Sequence, residues 1–135
     1  MDYDSDILEW SERQADALRR RAHNEIDWDN VAEEIESVGR SELHAVRSLL
    51  RQALRHMLKA EAWPLHRDAS GWRADAIDFR QQASGRFAES MRQRIDVALL
   101  YRQALRTLPE TVDGERPGPV AETCAMTLDD LLDAG

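Results

Sequence analysis

Histidines and acidic residues are the first candidates for metal or acid–base chemistry in this chain. The histidines are His23, His44, His56 and His66. No glutamate is followed three residues later by a histidine, the spacing that di-iron helical bundles use. No two histidines are four residues apart, as a helical zinc pair requires. We therefore rank a metal-dependent enzyme last among the function classes and assign no catalytic residue, metal ligand or cofactor.

Cysteine and serine give no stronger indication of chemistry. Cys124 is the single cysteine, so it has no partner for a disulfide or a cysteine metal site, and we expect a small buried residue rather than a reactive thiol. The serines lack the Gly-x-Ser-x-Gly turn of hydrolases, and the chain has neither a phosphate loop nor a dinucleotide fingerprint. No recognisable motif supports enzymatic function.

A row of basic residues is the best candidate for binding an anionic partner. This row, called the basic ridge below, consists of Arg47, Arg51, Arg55 and Lys59. Its four-residue spacing places all members on one side of a helix, where they could contact nucleic-acid phosphates. The alternative is pairing with acids of a neighbouring helix, such as Asp6, Glu9 and Glu12. We favour this pairing, because the net charge is −8 and nucleic-acid-binding domains are usually basic.

The charges are also divided along the chain. Residues 1–40 contain 12 acidic and 5 basic residues (net −7), residues 41–108 contain 7 and 12 (net +5), and residues 109–135 contain 7 and 1 (net −6). Either the ends neutralise the middle within the fold, or the middle meets an anionic partner.

Four tryptophans are the largest candidate anchors. They are Trp10, Trp28, Trp63 and Trp72. Core packing at helix ends is the default interpretation, and insertion into a partner's pocket is the alternative. Trp28 and Trp63 are the candidates for partner anchors, since they fall near opposite ends of the longest predicted helix.

Apolar residues that recur every three or four positions predict an all-α fold. The longest predicted helix covers about residues 29–61. Its apolar stripe consists of Ala32, Ile35, Gly39, Leu43, Val46, Leu50, Ala53 and Met57. A stop at Gly39 would reset the phase of this stripe, so we predict a continuous helix in which Gly39 is a close-packing point. Other helices must line the stripe, and self-association could cover the remainder.

Capping and turn residues predict the remaining elements. A first helix should start at the N-cap Ser5 and run to about residue 23. Ser70 should cap a helix that Ser84-Gly85 interrupts, and Ser90 should cap a helix through about 107. Residues 109–120, rich in Pro and Gly, should form an exposed linker to a short terminal helix that begins with a Thr127-x-x-Asp130 capping box. We therefore predict one domain over residues 1–135, a bundle of about four to five helices plus this terminal helix.

Four segments carry a resemblance to a known family. They are Trp28 through Glu42, Leu54 through Lys59, Ser70 through Arg73, and Cys124 through Leu132. In these segments the chain resembles the bacterial "domain of unknown function" family numbered twenty-nine. The resemblance implies an all-helical fold and supplies no catalytic residues.

These observations favour a small cytoplasmic protein that binds another macromolecule as an adaptor or regulator. A protein partner or self-association is the first expectation, and nucleic-acid binding through the basic ridge is the alternative. We expect no membrane partner, because no apolar stretch approaches the roughly 18 residues of a membrane span and the N-terminus is too acidic for a secretory signal.

Overall fold

The computed structural model describes residues 3–134, and within them the secondary structure is helical. The helices are α1 (Ile7–Arg20), α2 (Trp28–Ala62), α3 (Ala69–Arg86), α4 (Val97–Arg106) and α5 (Leu128–Leu132), with 3₁₀ helices at His23–Glu25 and Glu89–Arg94. The predicted all-α fold, with one long helix and a short C-terminal helix, is confirmed. The capping box at α5 is confirmed as well, because Asp130 N–H donates to Thr127 Oγ1 at 3.1 Å and Thr127 N–H donates to Asp130 Oδ2 at 2.9 Å.

α1 is shorter than the predicted 5–23. Asp6, not Ser5, is its N-cap, and the Asp6 carboxylate accepts from Glu9 N–H at 3.0 Å. The helix ends because Arg21 adopts a left-handed conformation with φ of 55°, and its N–H turns back to the carbonyls of the last turn.

The boundaries of α3 and α4 also differ from prediction. α3 begins at Ala69, ahead of the predicted cap Ser70, and continues through the predicted interruption to Arg86. The helix predicted to end at about residue 107 is present as α4, but its predicted start at Ser90 is wrong. A 3₁₀ helix covers Glu89–Arg94, and α4 starts after Asp96, whose carboxylate accepts from Leu99 N–H at 3.2 Å. Asp96, and not Ser90, is therefore the N-cap of α4.

α2 is a continuous helix of 35 residues, as predicted, and it ends one residue before the Trp63-Pro64 pair. Gly39 is not a packing point, because a Cβ placed there would have nothing within 4 Å. The burial of the stripe changes along the helix: Ile35 is 67% exposed, whereas Val46 and Leu50 are completely buried. The stripe is therefore a core face only in its second half.

The chain clusters into two compact units, Met1–Ser41 (unit 1) and Glu42–Gly135 (unit 2). Among the described residues of unit 1, the buried ones are Trp10, Ala17 and Ile26. Unit 2 contains the larger core, which is formed by Leu43, Val46, Leu50, Leu54, Leu58, Ala83, Ile95, Leu100, Tyr101, Ala104 and Leu131.

The segment between α4 and α5 is fastened to the end of α2. Val112 and Glu115 exchange backbone hydrogen bonds across a tight turn, in which Asp113 and Gly114 have φ of 51° and 81°. Further along, Gly118 N–H donates to the Ala62 carbonyl at 2.7 Å, and a Cβ at Gly118 would lie 3.2 Å from that oxygen. Glycine thus permits this close backbone approach.

Candidate functional site

The basic ridge lies on unit 2, and most of its cations interact within that unit. Arg47 Nε donates to the Arg94 carbonyl at 3.0 Å, and Arg55 Nη2 donates to the Thr107 carbonyl at 3.4 Å. Both carbonyls stand at helix ends, where backbone oxygens lack partners within the helix and cations are favourable. Arg47 and Arg55 therefore help to hold the termini of two short helices.

Two of the three acids expected opposite the ridge have other contacts. Asp6 caps α1, and Glu9 forms an ion pair with Arg13 at 3.3 Å. No carboxylate of residues 3–134 forms an ion pair with the ridge, and the Arg51 side chain has neither an ion pair nor a hydrogen bond with these residues. Arg51 is thus the ridge cation with the greatest freedom to meet an external anion.

A histidine near the start of α3 joins distant parts of unit 2. His66 Nε2 lies 2.6 Å from Asp113 Oδ2, and His66 Nδ1 accepts from Asp68 N–H at 3.0 Å. The ring stacks on Trp72 with centroids 5.0 Å apart. Because Nδ1 is an acceptor, this network assigns the proton to Nε2, and the hydrogen bond from His66 lowers the pKa of Asp113. Both ring nitrogens make contacts, so His66 fastens the turn at Asp113 to the start of α3.

Lys59 and Trp63 complete this cluster. Lys59 Nζ lies 4.6 Å from the centroid of the Trp72 ring, a cation–π contact, and burial lowers the pKa of Lys59. Trp63 is 3% exposed, and its indole N–H donates to the Glu115 carbonyl at 3.0 Å. Trp63 therefore packs within unit 2, which leaves Trp28, at 53% exposure, as the accessible candidate anchor.

The geometry of the described residues adds no candidate site for metal binding or thiol chemistry. In residues 3–134, no three histidine, cysteine or acidic side chains converge as metal ligands. Cys124 is half-buried rather than fully buried, and its thiol lies 3.5 Å from the Met126 carbonyl.

Unit 1 is a helical hairpin. Near its open end the Tyr3 hydroxyl donates to Glu34, and this hydrogen bond raises the pKa of Tyr3 to about 12. Near its turn Trp10 Nε1 donates to Asp27 Oδ2 at 3.2 Å, and Asp27 N–H donates to Gln14 Oε1 at 2.7 Å. Tyr3 thus lies beside Glu34, and Trp10 and Gln14 of α1 lie beside Asp27, so α1 runs antiparallel to the beginning of α2.

The hairpin exposes an unusual share of large apolar side chains. Six of the nine such exposed side chains in the described residues belong to unit 1. This set, called the hairpin face below, consists of Ile7, Leu8, Leu18, Trp28, Ile35 and Val38.

Helical geometry places both halves of the hairpin face on one side. Asp27 contacts Trp10 of α1, and Glu34 contacts Tyr3, which precedes α1. At about 100° per residue, Ile35 lies about a quarter turn beyond both Asp27 and Glu34. Leu18 lies a similar angle beyond Trp10 on α1. Both rotations are measured from the positions where the two helices meet. Because the helices are antiparallel, rotations of the same size and sense point to the same side of the hairpin. Ile7 and Leu18 of α1 and Ile35 and Val38 of α2 therefore turn toward the same side of the hairpin, and Leu8 lies at the outer edge of α1.

Charged residues occupy the other side of the same part of α2. Arg40 forms ion pairs with Glu33 at 2.6 Å and with Glu36 at 3.8 Å. These side chains are all more than half exposed, so the pairs contribute little to stability. The amphipathic pattern is therefore regular, but its apolar side faces outward.

The helical architecture of the described residues defines the class of protein as all-helical. The chain belongs to the family described as Domain of unknown function DUF29, whose model matches residues 3–135. The resemblance found in the sequence is thereby confirmed.

The fold is shared with a solved structure. A crystal structure of an alpha-helical protein of unknown function from Rhodospirillum rubrum is similar, with a TM-score of 0.67 and 25% sequence identity. The match covers 98% of this chain and 90% of the other. No curated protein matches the sequence. Within the described residues, every helix is too short or too polar to cross a bilayer.

Proposed function

We propose that this protein is a protein-interaction module that binds its partner through the hairpin face. The observation that carries the proposal is the concentration of exposed apolar side chains in unit 1, where Ile35 and Val38 are each 67% exposed. Contiguous apolar patches are uncommon on monomeric proteins and mark interaction surfaces.

The hairpin face also has the chemical character of a binding surface. Trp28 supplies a half-exposed aromatic anchor, the side-chain type that most often dominates binding energy. Ile35 and Val38 follow it on one regular helix, so their positions are set before a partner arrives. Little conformational entropy is then lost on binding, which favours affinity.

Site-specific photo-crosslinking in the native cells tests this function. A photoreactive amino acid replaces Val38, and the matched control carries it at Leu65, which is 97% exposed but lies outside unit 1. We expect protein adducts at position 38 that are absent at position 65. Equal adducts, or none, at the two positions would contradict the proposal.

Nucleic-acid binding through the basic ridge is the second candidate function. The observation that favours it is Arg51, which lacks a partner in residues 3–134. It ranks second because Arg47 and Arg55 already donate to backbone carbonyls. Fluorescence anisotropy with mixed-sequence duplex DNA provides the test. This function requires binding that weakens steeply with salt and is lost in Arg51→Glu, but is kept in the control Arg73→Glu.

A further inference from the structure

The hairpin face fits a second copy of the same chain, and we propose that two hairpins pack face to face with their α1 helices antiparallel. This inference rests on the proposed function, because it names the occupant of the same surface. The described contacts of unit 1 form a single layer of two helices, and two such layers make a four-helix arrangement that buries both apolar sides.

The size of the surface is consistent with a reversible dimer. The exposed fractions of the six side chains of the hairpin face, between 41% and 67%, amount to roughly 600 Å² of apolar area on each copy. Two copies would then bury about 1,200 Å², the lower end of the range for specific complexes. We expect a dimer that dissociates on dilution rather than an obligate one.

Charge determines the orientation of the two copies. Glu12 and Arg19 are seven residues apart on α1, two turns of helix, so they stand on the same flank beside Leu8. Neither forms an ion pair with residues 3–134. An antiparallel α1 pair centred near Ala15 brings Glu12 of each copy beside the partner's Arg19. A parallel pair would place like charges together.

The net charge of residues 1–40, −7, opposes this association at long range. Salt screens exposed charges beyond about 8 Å at physiological ionic strength. The close pairing of opposite charges and the apolar contact therefore outweigh the long-range repulsion under these conditions.

Sedimentation equilibrium of the purified full chain measures the association directly. We expect a concentration-dependent rise toward twice the chain mass of 15.5 kDa. The double variant Ile35→Glu with Val38→Glu should raise the dissociation constant at least about tenfold, whereas the matched control Leu65→Glu should leave it unchanged. Circular dichroism of each variant verifies that the fold survives, as expected for exposed positions.

A charge swap tests the orientation. Arg19→Glu and Glu12→Arg should each weaken the dimer, and the double variant should restore it, because the opposite charges again face each other. Failure of the double variant to recover the wild-type association would overturn the antiparallel arrangement.

The outcomes separate the two proposals. A chain that stays monomeric at every concentration, while position 38 still captures another protein in cells, would overturn the second-copy inference and leave the protein-binding function standing. A monomeric chain without specific adducts would refute both.

Discussion

Gly39→Ala should stabilise the protein. The position lies in the interior of a continuous helix, with nothing within 4 Å of an added Cβ. The substitution therefore adds helix propensity without steric cost. Glycine is about 0.8–1.0 kcal/mol less favourable than alanine in a helix interior, so the gain in the free energy of unfolding should be about 1 kcal/mol.

Thermal unfolding measures this gain. For a chain of 135 residues, an unfolding entropy of about 2 cal/mol/K per residue converts 1 kcal/mol into a rise of about 3–4 °C in melting temperature. Gly39→Leu should raise the melting temperature slightly less than Gly39→Ala, because leucine is only a little poorer in helix propensity.

Gly114 provides the matched control, because its backbone conformation favours glycine. Gly114 has φ of 81°, so Gly114→Ala should destabilise the turn although no atom lies within 4 Å of its Cβ. If Gly39→Ala instead lowered the melting temperature, and Gly39→Leu lowered it further, Gly39 would be in close contact and the reasoning would be refuted.

Three further predictions concern unit 2. Leu50→Ala should lower the free energy of unfolding by about 3–5 kcal/mol, because the side chain is completely buried; urea denaturation measures the loss, and a loss below about 1 kcal/mol would contradict core packing at this position. Tyr101→Phe should cost about 1–2 kcal/mol by the same assay, since the Tyr101 hydroxyl donates to the Ala121 carbonyl at 2.6 Å. The His66 contact lowers the pKa of Asp113 from its ordinary 3.8, so its stabilisation is present above pH 3.8 and disappears as pH falls through the lower folded-state value. As pH falls across this acid range, the urea midpoint should therefore decrease less in Asp113→Asn than in wild type. An equal decrease in the two proteins would refute a contribution of Asp113 to stability.

The periodic signals in the sequence predicted the helices well. The stripe predicted α2 as one helix, and Trp63-Pro64 marked its end, because both signals are local patterns in the sequence. The starts of α1, α3 and α4 were less predictable, since serine and aspartate compete as caps and the choice depends on neighbouring contacts. At α1 the N-cap is Asp6 rather than its neighbour Ser5, so the predicted cap is displaced by a single residue.

Burial was the weaker part of the prediction. An apolar stripe indicates which side of a helix avoids water, but not which element covers it. Ile35 and Leu50 lie on the same stripe, yet one is 67% exposed and the other completely buried. That difference depends on which elements pack against each part of α2, which the local pattern does not encode.

The side-chain contacts of the candidate sites were also beyond sequence reasoning. The four-residue spacing predicted the basic ridge as a row, but its hydrogen-bond acceptors are backbone carbonyls, which every residue possesses. His66 and Asp113 are 47 residues apart, and no spacing rule joins them.

α2 contributes residues to both units, and this has a thermodynamic consequence. A helix forms cooperatively, so ordering one turn favours the ordering of the next. A ligand that binds only the folded hairpin face stabilises the folded chain by RT ln(1 + [L]/Kd). Part of that free energy reaches the helical turns that carry Leu43 through Leu58. Amide hydrogen exchange in those turns would therefore slow on binding, although none of their side chains belongs to the hairpin face.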